Sequence, residues 1–535
     1  MTHAKPPHRY SGAWQKNTLR ELLSESDEFV HIVELVTSRG VIAEKDGQRV
    51  LALARRLCEH PQMHALSITD NPGGNAMINA DTLGTDLLSR GQEVIIHLSC
   101  KDWNRNALQG RAWQLASEGF DNVLCLSGDY PTSGYQGRAG GVFDIDSIGL
   151  LKMFQDLNEG LAVAVGKKKR RLQKTHFLLG AATNNHKRYE REVMPQYFKL
   201  AQKIKRGANF IINQIGYDTR KQDELLKYMA LHKLDAPVIA NVFVLSGPVA
   251  RYFNGGHIPG VEVTDELLAL CQKQAQSPDK GRAFFIELAA QQCAIARGLG
   301  YKGAYLGGHL QYGDYEKIVE MSQSYGADDW KDFARAIHFS YPDEFYYFEQ
   351  DGESGLSTSE ISSTYLHSQT PGEREKLRRE LPTSYKLNRI AHDRFFVPES
   401  TGFKLGQKLT AAIEDKPGAQ KLLHTAEQAA KIPFFGCRDC GDCSLPDIAY
   451  LCPESQCAKN QRNGPCGGTR QGQCEVGEKQ CIWALAYERL KAYGEEEDML
   501  ERPVIFKDGT LKGSSAWLNT YAGRDHYAHP QEKKE

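Results

Sequence analysis

Short apolar runs alternate with amphipathic segments between about residues 28 and 310. Eight runs have the length and the aliphatic or β-branched composition of buried strands. They are FVHIVELV (29–36), HALSIT (64–69), EVIIHLS (93–99), NVLCLS (122–127), HFLLGAA (176–182), NFIINQ (209–214), PVIANVF (237–243) and KGAYLGG (302–308). Eight βα units predict an α/β fold of the (β/α)8 TIM-barrel type, with a doubly wound open sheet as the alternative.

The pattern changes after the barrel region. Residues 336–432 mix aromatic residues with polar, helix-like segments such as TPGEREKLRREL, which indicates a helical connector. A cysteine-rich domain follows at 433–495, and a C-terminal tail rich in turn residues covers 496–535. With an N-terminal extension at 1–27 and the barrel at 28–335, the sequence predicts five segments.

The balance of charged residues limits which classes of binding partner the sequence predicts. The chain of 535 residues has 66 basic and 67 acidic residues and a formal net charge of -1. This balance argues against a nucleic acid or an anionic membrane as partner. The first 19 residues are polar and are interrupted by two prolines, unlike a signal peptide, and no apolar run approaches the ~20 residues of a membrane span. We therefore expect a cytoplasmic protein.

Polar residues gather at the ends of the predicted strands. If the sheet closes, the C-terminal ends of its strands share one mouth, where such barrels keep their active sites. The residues at these ends are Glu34, Thr69, His97, Asp129, Asn184, His186 and Gln214. Asp129 belongs to the stretch NVLCLSGDYP, in which a buried strand stops at a turn. Each residue alone could be a capping or loop side chain, but the whole set predicts an active site.

Eight of the 13 cysteines lie within one short stretch. They are Cys437, Cys440, Cys443, Cys452, Cys457, Cys466, Cys474 and Cys481. In a long cytosolic chain, such a cluster indicates metal binding rather than disulfides. Eight thiolates make two four-cysteine sites, which suits two [4Fe–4S] clusters or zinc, and spacing does not choose between iron and zinc.

The barrel region resembles the methylenetetrahydrofolate reductases, which are flavin-dependent (β/α)8 barrels. The resemblance covers about residues 30–310 and rests on HIVELVTSRG, SITDNPGGN, HLSCKDWNRNAL, NVLCLSGDYP with VFDIDSIGLL, and KRGANFIINQIGYD. It implies that Glu34 is the general acid, that Asp129 lies near the flavin ring and the pterin, and that Gln214 binds the pterin.

The same resemblance implies a flavin site. Its expected contacts are Thr69, His97, Gly128, Asp129 and His186, with Lys203 holding the flavin phosphates. The chain departs from the family pattern after the first-strand acid, where Leu35, Val36 and Thr37 replace the aromatic and proline residues that the family often has. In addition, Ser127 stands where many members have arginine, and Gln202 replaces a second basic residue. These last two departures weaken the usual contacts with the adenine-dinucleotide part of FAD and make FMN the alternative.

The cysteine segment, with NGPCGG and CIWALAYERLK, is similar to a C-terminal domain that is fused to or partnered with the reductase in some bacteria. That domain forms an iron–sulfur subunit in acetogens and is also described as zinc-binding. The resemblance implies that electrons reach the flavin through clusters as well as, or instead of, from NADH. The donor is then NADH or a ferredoxin- or flavoprotein-type carrier, and we favour iron–sulfur over zinc.

The leading hypothesis is a flavin-dependent interconversion of 5,10-methylene- and 5-methyltetrahydrofolate. Its chemistry requires an acid to protonate one folate nitrogen near neutral pH, and Glu34 at a buried strand end suits this role. Asp129 is expected to stay ionised and to favour a cationic intermediate. The alternatives are a related flavoprotein with a non-folate substrate, and an iron–sulfur or zinc scaffold or electron-transfer subunit with a degenerate barrel. The direction of reaction and a homo-oligomeric state are left open.

Overall fold

The computed structural model describes residues 18–528. Twelve strands, β1 to β12 in chain order, are Val30–Leu35, Ala65–Ile68, Glu93–Ser99, Asn122–Leu126, Ala162–Val165, Lys168–Arg171, Leu178–Thr183, Phe210–Asn213, Val238–Phe243, Gly303–Gly307, Phe348–Gln350 and Ser357–Ile361. Eight of them form a closed parallel barrel in the order β1-β10-β9-β8-β7-β4-β3-β2. The (β/α)8 prediction is therefore confirmed, and the open sheet is excluded.

Helices surround the barrel and build the C-terminal half of the chain. The α-helices, α1 to α21 in chain order, are Thr18–Ser24, Lys45–Cys58, Ala80–Leu88, Arg105–Glu118, Ser147–Glu159, Glu190–Lys205, Thr219–Leu231, Gly247–Asn254, Asp265–Gln274, Arg282–Leu299, Tyr312–Ser324, Asp329–Ala336, Ser363–Ser368, Pro371–Glu380, Thr383–Phe395, Thr401–Ile413, Pro417–Phe435, Pro453–Gln456, Ile482–Lys491, Asp498–Glu501 and Ala516–Tyr521. Short 3-10 helices lie at Pro72–Gly74, Pro446–Ile448, Gly509–Leu511 and His526–Ala528. Within residues 18–528, none of the helices is long and apolar enough to cross a membrane.

All eight predicted barrel strands form, with ends that shift by one or two residues. Alternate side chains of each strand point into the barrel, and those nearest the strand starts are apolar, including Ile32, Ile95, Leu124 and Phe210. Helix α1 packs two buried leucines against this inner core and so closes the barrel at its N-terminal end. The mouth with its polar residues lies at the opposite end, where the strands have their C-terminal ends.

The region after the barrel is mostly helical, as predicted. Helices α13 to α17 occupy most of the predicted connector, which also contains the two-stranded sheet β11–β12. The basic run at 166–174 contributes to an exposed hairpin, β5–β6. Of the predicted N-terminal extension, residues 1–17 lie outside the described residues, as do 529–535 of the tail. The proposed division into domains stays a prediction.

The cysteine-rich region packs directly on the barrel. Helix α19 lies along α6, where the Tyr487 hydroxyl donates to Glu190 Oε1 at 2.7 Å and Arg191 pairs with Glu488 at 3.0 Å. Tyr487 is buried, so this contact belongs to a packed interior rather than to a loose association. The C-terminal region is thereby held against one side of the barrel mouth.

Candidate active site at the barrel mouth

Glu34 lies at the end of β1 on the inner side of the barrel. Burial raises the pKa of its carboxyl group to about 7, and a hydrogen bond from Tyr305 opposes that rise. Gly307 on the neighbouring strand leaves room for the carboxylate, because a Cβ atom there would lie 2.9 Å from Glu34 Oε2. Glu34 is therefore partly protonated near neutral pH, as a general acid must be.

A chain of inward-facing polar side chains supports Glu34. The Tyr305 hydroxyl donates to Glu34 Oε1 at 3.4 Å and lies 3.1 Å from His97 Nε2, which is 2.8 Å from Ser67 Oγ. Burial lowers the pKa of His97 to about 3, so the ring is neutral. His97 therefore takes part in orienting Tyr305, and its predicted contact with flavin stays a prediction.

Asp129 lies just beyond β4, in a turn that depends on glycine. Its Oδ2 accepts a hydrogen bond at 2.8 Å from the backbone N–H of Gly73, in the loop after β2. Gly128 has a φ of 84°, and a Cβ atom there would lie 2.9 Å from Ser99 Cβ. Only glycine suits both the left-handed backbone and the close approach of β3, so Gly128 fixes the position of the acid.

A lysine of the cysteine-rich region reaches this turn. The buried Nζ of Lys459 donates to the carbonyl of Gly128 at 2.8 Å and pairs with Glu475 at 2.5 Å. It also interacts electrostatically with the carboxylate of Asp129. The mouth of the barrel therefore receives a positive charge from a segment more than 300 residues away in the chain.

The same segment closes one side of the mouth. Lys199 of α6 donates to the carbonyls of Gly464 and Pro465 at 3.2 and 2.9 Å, and Asn184 donates to that of Gly467 at 3.0 Å. These contacts are buried. Residues 459–467, named here the covering segment, thus form a wall beside the ends of β4 and β7.

Gln214 and Thr69 lie at other strand ends of the same mouth. The backbone N–H of Gln214 donates to Thr183, and its side-chain oxygen accepts from the N–H of Ile215 at 2.9 Å. Thr69 is buried, and its hydroxyl is 3.4 Å from the carbonyl of Leu35. The fold therefore brings the predicted residues to one end of the barrel.

Buried polar atoms near the mouth are left unsatisfied within the described chain. His186 Nε2, Asn185 Oδ1, Thr183 Oγ1 and Thr37 Oγ1 have no hydrogen-bond partner among residues 18–528. Burial lowers the pKa of His186 to about 4, so its ring is neutral. Unsatisfied buried polar groups are rare in native proteins, but Thr183 is on the outward register of β7 and His186 Nε2 packs against Gly216, so these atoms do not by themselves mark a flavin site.

Lys203, expected at the flavin phosphates, and Ser127, a departure from the family pattern, both bond within the protein. Lys203 is buried, its Nζ donates to the carbonyl of Ala182, and burial lowers its pKa to about 7. The Ser127 hydroxyl donates to Gln461 of the covering segment at 2.9 Å. The phosphate-binding role of Lys203 stays a prediction.

The eight clustered cysteines occupy two neighbourhoods. Electrostatic interactions connect thiols within a first set, Cys437, Cys440, Cys443 and Cys452, and within a second set, Cys457, Cys466, Cys474 and Cys481. The first set adjoins α17, where Lys431 Nζ is 3.6 Å from Cys443 Sγ. The second adjoins the covering segment, since Cys466 interacts with Lys459 and Lys199.

Within residues 18–528, the four thiols of each set are not arranged as a metal coordination shell. Across the part of the chain that the structure describes, no group of three or more histidine, cysteine or acidic side chains is arranged to hold a metal ion. The four-and-four grouping nevertheless matches the number of thiolates that two four-coordinate metal sites need. The fit to two metal centres is partial, and metal binding stays a prediction.

Sequence reasoning missed three residues of the site. Ser67 and Tyr305 occupy inward positions of two predicted strands, and the period-2 alternation of HALSIT and KGAYLGG could have identified them. Lys459 carries no comparable signal, because nothing in the cysteine-rich sequence indicates that it faces the barrel. Long-range packing alone places it there.

Comparison with known proteins identifies two regions of the chain. The profile of the family described as Methylenetetrahydrofolate reductase matches residues 41–304, and that described as Methylene-tetrahydrofolate reductase C terminal matches residues 416–509. Among proteins of curated function, the chain has no significant match.

Two solved structures are distantly similar. One is an uncharacterized protein from Clostridium thermocellum that binds two copies of 5-methyl-5,6,7,8-tetrahydrofolic acid, with 12% identity, coverage of 57% of this chain and 98% of that chain, and a TM-score of 0.41. The other is oxaloacetate acetylhydrolase in complex with 3,3-difluorooxalacetate, with 12% identity, coverage of 57% and 81%, and a TM-score of 0.30. The matching family profiles, and not these distant likenesses, show that the chain belongs to the methylenetetrahydrofolate reductase family of enzymes.

Proposed function

We propose that the protein interconverts 5,10-methylene- and 5-methyltetrahydrofolate at the barrel mouth, with a flavin as the redox cofactor. The observation that carries the proposal is the carboxyl group of Glu34, held inside the barrel with its pKa raised to about 7. A family barrel with a degenerate site has no need for a buried acid poised for proton transfer near neutral pH.

The proton chemistry assigns different roles to the two acids. Opening the methylene bridge requires a proton on one folate nitrogen, and Glu34 supplies it while Tyr305 holds the carboxyl group in place. Asp129 accepts hydrogen bonds from pterin N–H groups and stabilises positive charge on the substrate. Gln214 can pair with both donor and acceptor edges of a pterin, because its amide offers both.

The bound flavin would supply or accept the hydride. Thr69, Gly128 and His186 would contact its ring. We propose FMN rather than FAD. The Ser127 hydroxyl, at the position where many family members have arginine, already donates to Gln461 of the covering segment, so it is not available to contact the adenine-dinucleotide part of FAD.

This function is tested by adding 5-methyltetrahydrofolate to the anaerobically purified, flavin-loaded protein. Loss of the oxidised-flavin absorbance and formation of 5,10-methylenetetrahydrofolate in equal amounts are expected. The flavin released by heat should match FMN in chromatography. A flavin that stays oxidised with every tetrahydrofolate derivative would favour a non-folate substrate instead.

We further propose that each cysteine set holds one metal centre, with two [4Fe–4S] clusters favoured and zinc as the alternative. The support is the division of the eight cysteines into two sets of four. Electrons would come from NADH or from a ferredoxin-type carrier.

Single cysteine substitutions test the division into sets. Cys443→Ser and Cys457→Ser are each expected to remove about half of the bound metal, because each breaks one of two four-thiolate sites. Metal analysis and visible spectra of anaerobically purified protein give the measurement. Cys271→Ser, in α9 on the barrel, is the matched control and should leave the metal content unchanged. Complete metal loss in either set variant would contradict two independent sites.

A further inference from the structure

The last described part of the chain packs on the loop that carries the first cysteines. Residues 508–528, named here the C-terminal strap, contain two short 3-10 helices and helix α21. The backbone N–H of Gly513 donates to the carbonyl of Asp439 at 3.0 Å. The side-chain amide of Asn519 donates to the carbonyl of Gly441 at 2.9 Å. The strap therefore bonds directly to the backbone between the cysteines of the first set.

The strap approaches this loop so closely that one position requires glycine. Gly441 has a φ of 72°, and a Cβ atom there would overlap the carbonyl oxygen of Leu511. Glycine alone suits both the left-handed backbone and this close approach. Gly441 lies between Cys440 and Cys443, so the strap contacts the turn that separates two thiols of the first set.

A buried histidine of the strap joins two parts of the same loop. His526 Nδ1 bonds to Asp442, and its Nε2 lies 3.2 Å from Asp447 Oδ2. Because an ionised carboxylate only accepts hydrogen bonds, the ring donates from both nitrogens. The second oxygen of Asp442 accepts from the backbone N–H of Asp508 at 3.0 Å. Cys443 therefore lies between two carboxylates that the strap holds in place.

A second path connects the strap to the same thiol through α17. The Ser515 hydroxyl donates to Glu427 Oε2 at 2.6 Å, and the other oxygen of this carboxylate pairs with Lys431 at 2.5 Å. Lys431 Nζ in turn lies 3.6 Å from Cys443 Sγ. Glu427 is 1% exposed, so this path runs through a packed interior. The strap thus fixes the backbone beside Cys443 and also a side chain that contacts its sulfur.

We infer that the C-terminal strap positions Cys440 and Cys443 to bind a metal ion, without supplying a ligand itself. A loop that is ordered before the metal arrives loses less conformational entropy on binding. Almost all of the strap lies beyond residue 509, where the match to the C-terminal family profile ends. The inference rests on the metal centres proposed above, but it also requires that the loop is already ordered in the metal-free protein.

The test is titration of the metal-free, full-length protein with Co²⁺, whose thiolate complexes absorb visible light. Cys457→Ser leaves only the first set complete, and Cys443→Ser leaves only the second. In the Cys457→Ser background, His526→Ala and Asn519→Ala should each weaken Co²⁺ binding by about tenfold or more, because each releases the loop. In the Cys443→Ser background they should change nothing. Asn519→Ala removes no charge and decides the question if His526→Ala does not fold.

Thiol labelling of the metal-free protein separates the strap from the metal centres. With N-ethylmaleimide and peptide mass spectrometry, Cys440 and Cys443 should react about tenfold or more faster in the strap variants than in wild type, and Cys474 and Cys481 at an unchanged rate. His367→Ala, an exposed side chain of α13, is the matched control and should alter neither readout.

The outcomes distinguish the two proposals. An unchanged Co²⁺ affinity of the first set, or an equal loss at both sets, would overturn the positioning role of the strap. If the wild-type chain took up no Co²⁺, the proposed metal centres would fail, and the labelling rates alone would judge the strap. Unchanged labelling of Cys440 and Cys443 in both strap variants would then overturn it.

Discussion

Replacing Glu34 with glutamine is expected to lower the turnover of folate by ~10²- to 10⁴-fold, which is the usual contribution of a general acid, while flavin stays bound. Glutamine has nearly the same shape but no acidic proton to transfer. Because burial raises the pKa of Glu34 to about 7, the wild-type rate of methylenetetrahydrofolate reduction should fall as the pH rises above about 7. The variant should lack this dependence. Steady-state kinetics across pH, with flavin content measured in parallel, provide the check.

The pH dependence of folding stability gives a second measurement of the ionisation of Glu34. The folded-state pKa lies above that of the unfolded chain, so the folded state binds the proton more tightly and stability falls as pH rises from about 4.5 to about 7. Glu34→Gln cannot ionise and should be more stable than wild type above about pH 7, by an amount on the order of 3 kcal/mol. Tyr305→Phe is the matched control. Because the hydrogen bond from Tyr305 lowers the pKa of Glu34, its loss should shift the pH range over which stability falls to higher pH. Wild-type turnover in Glu34→Gln would exclude Glu34 as the acid.

Replacing Lys459 with methionine is expected to destabilise the protein by about 3–5 kcal/mol, because it leaves Glu475 buried without its cation. It also removes the bond to the carbonyl of Gly128 and the positive charge near Asp129. We therefore expect a rise in KM for folate in addition to lower stability. Denaturant unfolding and steady-state kinetics measure the two effects.

A double variant separates these two effects. Lys459→Met with Glu475→Gln removes the unpaired buried charge, so most of the lost stability should return. The raised KM should remain, since the charge near Asp129 is still missing. If the double variant recovered wild-type KM as well, Lys459 would act on the barrel through stability alone.

The fold was largely readable from local pattern. Each barrel strand is an apolar run of four to seven residues, and such runs are determined by neighbours along the chain. The local pattern could not predict that the sheet closes into a barrel. Closure depends on the pairing of β1 with β10, in which Val30 lies opposite Gly303, and these strands are at opposite ends of the barrel sequence. The same hydrophobic runs could have formed an open sheet.

The candidate site divides in the same way. Glu34 and Asp129 were predicted at the mouth because Glu34 lies near the end of one strand and Asp129 just beyond another, and parallel strands bring their C-terminal ends together. The raised pKa of Glu34 arises from burial inside the closed barrel, with Tyr305 beside it. No linear pattern carries that information.

By itself, the sequence determined the strands, the acids at their ends and the cluster of eight cysteines, because these depend on periodicity and composition. Only the tertiary structure decided that the barrel closes, that the cysteines fall into two sets and that Lys459 reaches the turn at Gly128. These features depend on contacts between residues far apart in the chain. Such contacts arise from packing and burial of charge, which a local pattern does not encode.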